Sequence, residues 1–144
     1  MAAEAETVVR AYYAAFNAGD VEGFLGLLAP RVAHDINQGR REIGKPAFQR
    51  FLKRMAACYR EKIVGIVVMT DRTGRRAAAE FTVLGTYVKT DKGLPAATGQ
   101  RYRLPAGAFF EIKGGRVARI SNTYNLNDWL AQISAASHKR RPPR

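Results

Sequence analysis

Cysteine occurs once in this chain of 144 residues, as Cys58. No internal disulfide can form, so the fold must hold by its core. Histidine occurs twice, as His34 and His138, and the second lies in a terminal basic run. With one cysteine and no His/Glu pair at ligand spacing, no zinc or iron site and no other metal is expected. There is no phosphate loop and no dinucleotide fingerprint, since Gly85 and Gly107 stand isolated in strand-like segments. No cofactor is therefore expected. No apolar run approaches the ~20 residues that span a bilayer, and no membrane partner is expected. The first ten residues carry Glu4 and Glu6 and no apolar signal region, so the cytoplasm is the expected compartment.

Acidic residues are also scarce: 12 against 24 basic ones, for a net charge of +12. Four of those charges lie in residues 138–144, the run His-Lys-Arg-Arg-Pro-Pro-Arg. Such a surplus steers anions. No aromatic-studded motif accompanies it, so a solvated surface and a basic tail are expected rather than a nucleic-acid partner. Arg40, Arg41, Lys45, Arg50, Lys53 and Arg54 would dock an acidic partner only if they formed one patch.

What is present is the balance of an ordinary globule, 47% hydrophobic and 25% charged. At this length a chain buries roughly two-thirds of its unfolded surface. One domain over residues 1–137 is expected, followed by the tail at 138–144.

Ala5, Val8, Val9, Tyr12 and Phe16 recur at helical spacing, which predicts a helix over about residues 3–17. Gly19 stops it, and Asp20 caps a second, short helix carrying Val21, Phe24, Leu25 and Leu28, ended by Pro30. Residues 32–37 alternate as a short strand, and Gly39-Arg40-Arg41 reads as a polar turn. Pro46 opens a third helix whose stripe is Phe48, Phe51, Leu52, Met55 and Tyr59. Residues 63–69, 76–89, 99–113 and 116–125 then read as strands, with Gly114-Gly115 a tight hairpin. Asn127-Asp128 caps a closing helix with Trp129, Leu130 and Ile133. Helices followed by hairpin-linked strands indicate an α+β fold, a curved antiparallel sheet backed by helices with one open end. Cavities of this kind hold small ligands.

Acid–base chemistry is what remains. Asp35 sits among Val32, Ala33 and Ile36, and apolar walls would raise its pKa and suit it to general-base work. Pairing with an arginine or capping the next turn is the alternative. Tyr12 lies in an apolar helix stripe and would offer its hydroxyl to a cavity as a donor. Asn122 and Tyr124 share one face of the last strand. On the long strand, Phe81, Val83 and Tyr87 share one side, Leu84 and Val88 the other. One side should line the cavity and the other meet a second copy, because monomers rarely expose large apolar patches. Cys58 reads as a small core residue.

These residues resemble the ketosteroid isomerase and SnoaL-like polyketide cyclase group of the nuclear transport factor 2-like superfamily. The resemblance runs through Tyr12–Asp20 (YYAAFNAGD), the spacing from Asp35 to Gly44, and Gly44-Lys45-Pro46-Ala47-Phe48 opening a helix. More narrowly, HDINQG at 34–39, TDKGLP at 90–95, Gly99-Gln100 and LPAGAFF at 104–110 resemble proteins known only as ketosteroid isomerase-related. The resemblance implies a cone-shaped sheet wrapped around helices, as in cystatin-like folds, and a homodimer. It implies Asp35 as the base and Tyr12 as the oxyanion-hole donor, with Gly107 where the isomerase carries a second acid. Tyr124, Asn122, Phe81, Val83, Phe51 and Met55 would then bind a small hydrophobic carbonyl or cyclic ligand. The reaction would be proton transfer of isomerase or cyclase type; the alternative is a non-catalytic ligand-binding or dimerisation module.

Overall fold

The first helix, α1 (Ala2–Ala18), buries one stripe made of Ala5, Val8, Val9, Tyr12 and Tyr13. This computed structural model describes residues 2–138; of the basic tail expected at 138–144, His138 closes the last helix and residues 139–144 lie outside the described residues. The Asp20 carboxylate accepts from the Gly23 amide and caps α2 (Val21–Gly26).

That helix ends about one turn earlier than Pro30 implied. Leu28 already belongs to a strand, β1 (Leu28–Asp35), which contains Pro30. The pairing of β1 is irregular between Leu28 and Ala33, so a residue without an N–H breaks no ladder there. Residues 39–41 are only partly a turn: Arg41 begins β2 (Arg41–Ile43), which pairs antiparallel with β1.

Gly44 precedes α3 (Lys45–Cys58) at φ 95°, a left-handed backbone that favours glycine, and Pro46 occupies the first turn. Tyr59 is extended and starts the next strand rather than closing the helix stripe. Four strands follow as a meander: β3 (Tyr59–Thr70), β4 (Arg76–Tyr87), β5 (Gln100–Lys113) and β6 (Arg116–Tyr124). The last helix, α4 (Leu126–His138), is capped by the Asn125 side chain, which accepts from the Asp128 amide; Asn127 and Asp128 lie inside the helix.

The six strands form one curved, unclosed sheet in the order β2-β1-β6-β5-β4-β3. Every pair is antiparallel except β1 with β6. The sheet is thus mixed at that one junction, because the segment between β1 and β6 must return to β1's free side. The concave face carries Ala77, Ala79, Phe81, Val83, Leu104, Ala108, Phe110 and Ile120, all buried. Both α1 and α3 pack on that side, α1 across β3 and β4, and α3 against β1, β2 and β3. Phe48 is the one fully buried member of the α3 stripe. Phe51, Leu52 and Met55 are half-buried, so this stripe is wall as much as core. Among the described residues, no helix is long and apolar enough to cross a membrane, and no three His, Cys, Asp or Glu cluster to hold a metal.

Candidate functional site

Between the concave face and the helices lies a cavity of about 270 Å³. It is on the small side of pockets that enclose organic ligands. Tyr12, Phe51, Met55, Phe81, Val83, Asn122 and Tyr124 all line it, so the structure brings these seven strand and helix positions together. A second, more open cleft of about 420 Å³ adjoins it and shares Phe16, Phe24, Leu52, Met55, Tyr59 and Glu61.

Asp35 is not in this wall. Side chains alternate along a strand, and in β1 the inward positions are Val32 and His34. Asp35 faces outward, opposite Arg41 on β2 and Ser121 on β6. Arg41 donates to both of its carboxylate oxygens, Nε to Oδ1 at 2.5 Å and Nη2 to Oδ2 at 3.0 Å. Ser121 Oγ donates to Oδ2, and Arg119 Nη1 stands 3.8 Å away. The Arg41 hydrogen bond, aided by Ser121 and the two arginine charges, outweighs desolvation and lowers the Asp35 pKa to about 2. The expectation of a desolvated carboxylate with a raised pKa is therefore overturned. The cause is strand parity: Val32 lies on the opposite face, and Ile36 lines the cavity, while the Asp35 face holds Arg41 and Ser121.

His34 occupies the place that Asp35 was expected to hold. Its ring is buried, stacks on Phe48 at 4.1 Å and 10°, and meets Phe51 edge-on at 4.6 Å. Burial lowers its pKa to about 4, against the opposing pull of the Glu42 and Asp35 charges, so the imidazole is neutral at pH 7. Nε2 lies 3.4 Å from the Asn122 amide nitrogen, while Nδ1 is buried with no partner. Glu42, directly across the ladder on β2, also has a buried oxygen without a partner. The signal was legible: Val32 and His34 share parity, and Val32 is the residue that must go inward.

Tyr12 and Tyr13 both line the cavity and pack edge-on at 5.0 Å. Burial raises both phenol pKa values, so both remain neutral donors. The hydroxyl left buried without a partner is that of Tyr13, which the helical stripe did not single out. Asn37 enters the wall because β1 ends at Asp35 and the chain turns there. Its Oδ1 accepts from the Tyr124 amide at 3.2 Å, and its Nδ2 is buried and unpartnered. Gly107 contributes backbone to the wall and no acid. A Cβ there would meet the Ala79 carbonyl at 3.1 Å, tighter than side chains ordinarily sit.

The basic residues proposed as a patch are partly engaged elsewhere. Arg41 holds Asp35, Arg40 lies 3.7 Å from Glu42, and the Arg54 guanidinium lies over the Phe51 ring at 5.6 Å.

A family model described as a SnoaL-like domain matches residues 9–120. The chain is similar to a "putative polyketide cyclase" from Pseudomonas putida KT2440, at 58% identity over 90% of this chain and 97% of that one, with a TM-score of 0.88. A structure of the same description from Xanthomonas campestris pv. campestris is 51% identical over 92% and 98% of the two chains, with a TM-score of 0.90. An NTF2-like protein of unknown function from Burkholderia pseudomallei K96243 shares the fold at 18% identity, over 92% and 98%, with a TM-score of 0.78. No curated protein matches the chain.

Proposed function

The chain belongs to the SnoaL-like domain family, and from that footing we propose that its cavity binds a small hydrophobic ligand bearing a carbonyl, open-chain or cyclic. One observation carries this reading. The apolar, largely aromatic wall holds three residues with buried polar atoms left unpartnered among the described residues: Tyr13 Oη, His34 Nδ1 and Asn37 Nδ2. Leaving such groups unmade costs on the order of 1–3 kcal/mol each, and a ligand oxygen seated among them recovers part of that. The similarity to proteins described as "putative polyketide cyclase" supports the same ligand chemistry.

Within this reading the reaction is proton transfer beside the carbonyl, of isomerase or cyclase type. The base is the neutral imidazole of His34, and the donors are Tyr12 and Tyr13. Asp35 has no part in it, since its carboxylate is engaged by arginine on the other face. That engagement, with Gly107 supplying no acid, favours the second reading, a ligand-binding module without catalysis. A methyl ketone separates the two. 2-Acetylnaphthalene carries exchangeable hydrogens alpha to its carbonyl, so deuterium uptake from D2O reports proton abstraction. The expected outcome is accelerated exchange that falls about 10²-fold or more in His34→Gln and is unchanged in Asp35→Asn. Binding without accelerated exchange establishes the module reading.

We also propose that two copies pair through the outer face of the sheet. Val67, Met69, Leu84 and Phe109 are exposed there, with Phe109 at 54%. The inner-facing Phe81 and Val83 already serve the cavity.

A further inference from the structure

Among the titratable groups of the cavity wall that no argument above uses is Glu61 on β3. It is half-buried and makes no ion pair with any described residue, in a chain with twice as many basic as acidic residues. Its partner is Tyr102, two strands away. The register runs Glu61 opposite Gly85 and Gly85 opposite Tyr102, so a direct contact must cross β4. Gly85 makes the crossing possible. A Cβ at that position would lie 2.1 Å from Tyr102 Cζ and 2.4 Å from its hydroxyl, so the ring rests on the bare glycine backbone. Aromatic side chains commonly cover strand glycines in this way. The Tyr102 hydroxyl thereby reaches Glu61 Oε2 and donates to it. The ring is backed edge-on by Trp129 of α4 at 6.0 Å. Oε2 is thus occupied, while Oε1 has no partner among the described residues.

We propose that Glu61 is a ligand-contacting residue of this cavity: its Oε1–H donates a hydrogen bond to an acceptor oxygen of the bound ligand, a carbonyl or the enolate formed from it. Tyr102, lying over Gly85, is the positioning residue that holds the carboxyl in place. The proposal rests on the cavity reading above and adds a specific polar anchor to it. No cation pairs with Glu61 among the described residues, and its neighbours are mostly neutral. From β3 itself it meets Tyr59, whose hydroxyl donates to Asp91 at 2.8 Å. From β5 comes Tyr102 and from β6 Tyr124, both neutral phenols. Arg54 of α3 and His34 of β1 line the same cavity without pairing with it. Burial is the larger influence and raises the Glu61 pKa; the Tyr102 hydrogen bond opposes it. His34 and Glu61 sit on strands at opposite sides of the sheet, β1 and the edge strand β3. Burial disfavours the charged form of each, an arrangement that suits a base and a hydrogen-bond donor at the two ends of one substrate.

Two measurements on the full chain test this. The first needs no ligand. Infrared difference spectra at pH about 6, above the ordinary glutamate range, should show the band of a neutral carboxylic acid that vanishes in Glu61→Gln and shifts in Tyr102→Phe. Gly85→Ala should shift it as well, because the added methyl displaces the ring. Absence of the band overturns the proposal. The second compares 2-acetylnaphthalene with 2-ethylnaphthalene, which lacks the oxygen. The ketone should bind about tenfold more tightly. Glu61→Leu should remove that preference and leave the hydrocarbon's affinity unchanged, and Glu61→Gln, whose amide still donates, should keep most of it. Equal ketone affinity in wild type and Glu61→Leu overturns the proposal with the cavity reading intact. If neither naphthalene binds, the cavity reading falls, and with it the ligand role of Glu61.

Discussion

His34 and Asp35 are neighbours in the chain and opposites in environment. The pleat turns one onto an aromatic cavity wall and the other onto an outer ladder of charges with Arg41, Ser121, Arg119 and Glu111. Their acid responses follow from the direction of each shift. His34 has a folded pKa of about 4 against 6.5, so its neutral form contributes stability above pH 6.5 that is lost as pH falls toward 4. The loss should be about 3 kcal/mol at most, and urea melts from pH 7 to 4 should flatten over that window in His34→Phe. Asp35 has a folded pKa of about 2 against 3.8, so its contribution is present above pH 3.8 and disappears only toward pH 2. Asp35→Asn should cost about 1 kcal/mol at neutral pH, as a partly exposed ion pair does. It should leave ketone binding untouched; a lost ketone affinity would return Asp35 to the site. Tyr13→Phe removes an orphaned hydroxyl. It should leave stability unchanged or slightly higher while weakening ketone binding by about tenfold, read by calorimetry.

At the scale of elements, α3 divides its work along one stripe. Phe48 is buried between His34 and Phe24, whose ring centroid lies 5.4 Å away. Phe51 and Met55, one and two turns on, are half-buried cavity wall. Phe48→Ala should therefore cost about 3–5 kcal/mol in denaturant unfolding. Met55→Ala should cost well under half of that and act mainly on ligand affinity. The helical period is the same for all three residues; what differs is whether a strand or open space stands opposite. The loop between β4 and β5 is pinned in a comparable way. Tyr87 donates to the Pro95 carbonyl at 2.6 Å, and its ring stacks on Tyr59 at 5.3 Å. This brings Asp91 and Leu94 to the rim of the cavity.

For the whole molecule, the open question of assembly has a physical form. A sheet with both faces apolar needs two covers, and the helices of one chain cover only the concave one. On the other face Val67 is 51% exposed and Met69 49%, alongside Leu84 and Phe109. Light scattering should give about twice the 15.9 kDa chain mass at micromolar concentration. Phe109→Arg should return it to a monomer with the cavity and its ketone affinity intact. A wild-type chain that scatters as a monomer would remove the pairing proposal.

Much of the architecture was legible locally. The helical stripe of α1, the Asp20 cap, Pro46 at the start of α3, the Gly114-Gly115 hairpin and the long alternating strands are short-range signals, and they sufficed for an α+β meander with a ligand cavity. Resemblance to a known group extended this to the residues now found in the cavity wall. The misses have one cause: each depended on a partner far away in sequence. Pro30 read as a helix stop until the irregular pairing of β1 with β6 made it a strand residue. Asp35 read as desolvated until the register placed Arg41 and Ser121 beside it, 6 and 86 residues away. Glu61 gave no local sign at all, because its environment comes from Tyr102, 41 residues on, crossing a glycine on an intervening strand. Periodicity decides which residues form an element; only packing decides what each face of that element meets, and the chemistry of a site lives in that second decision.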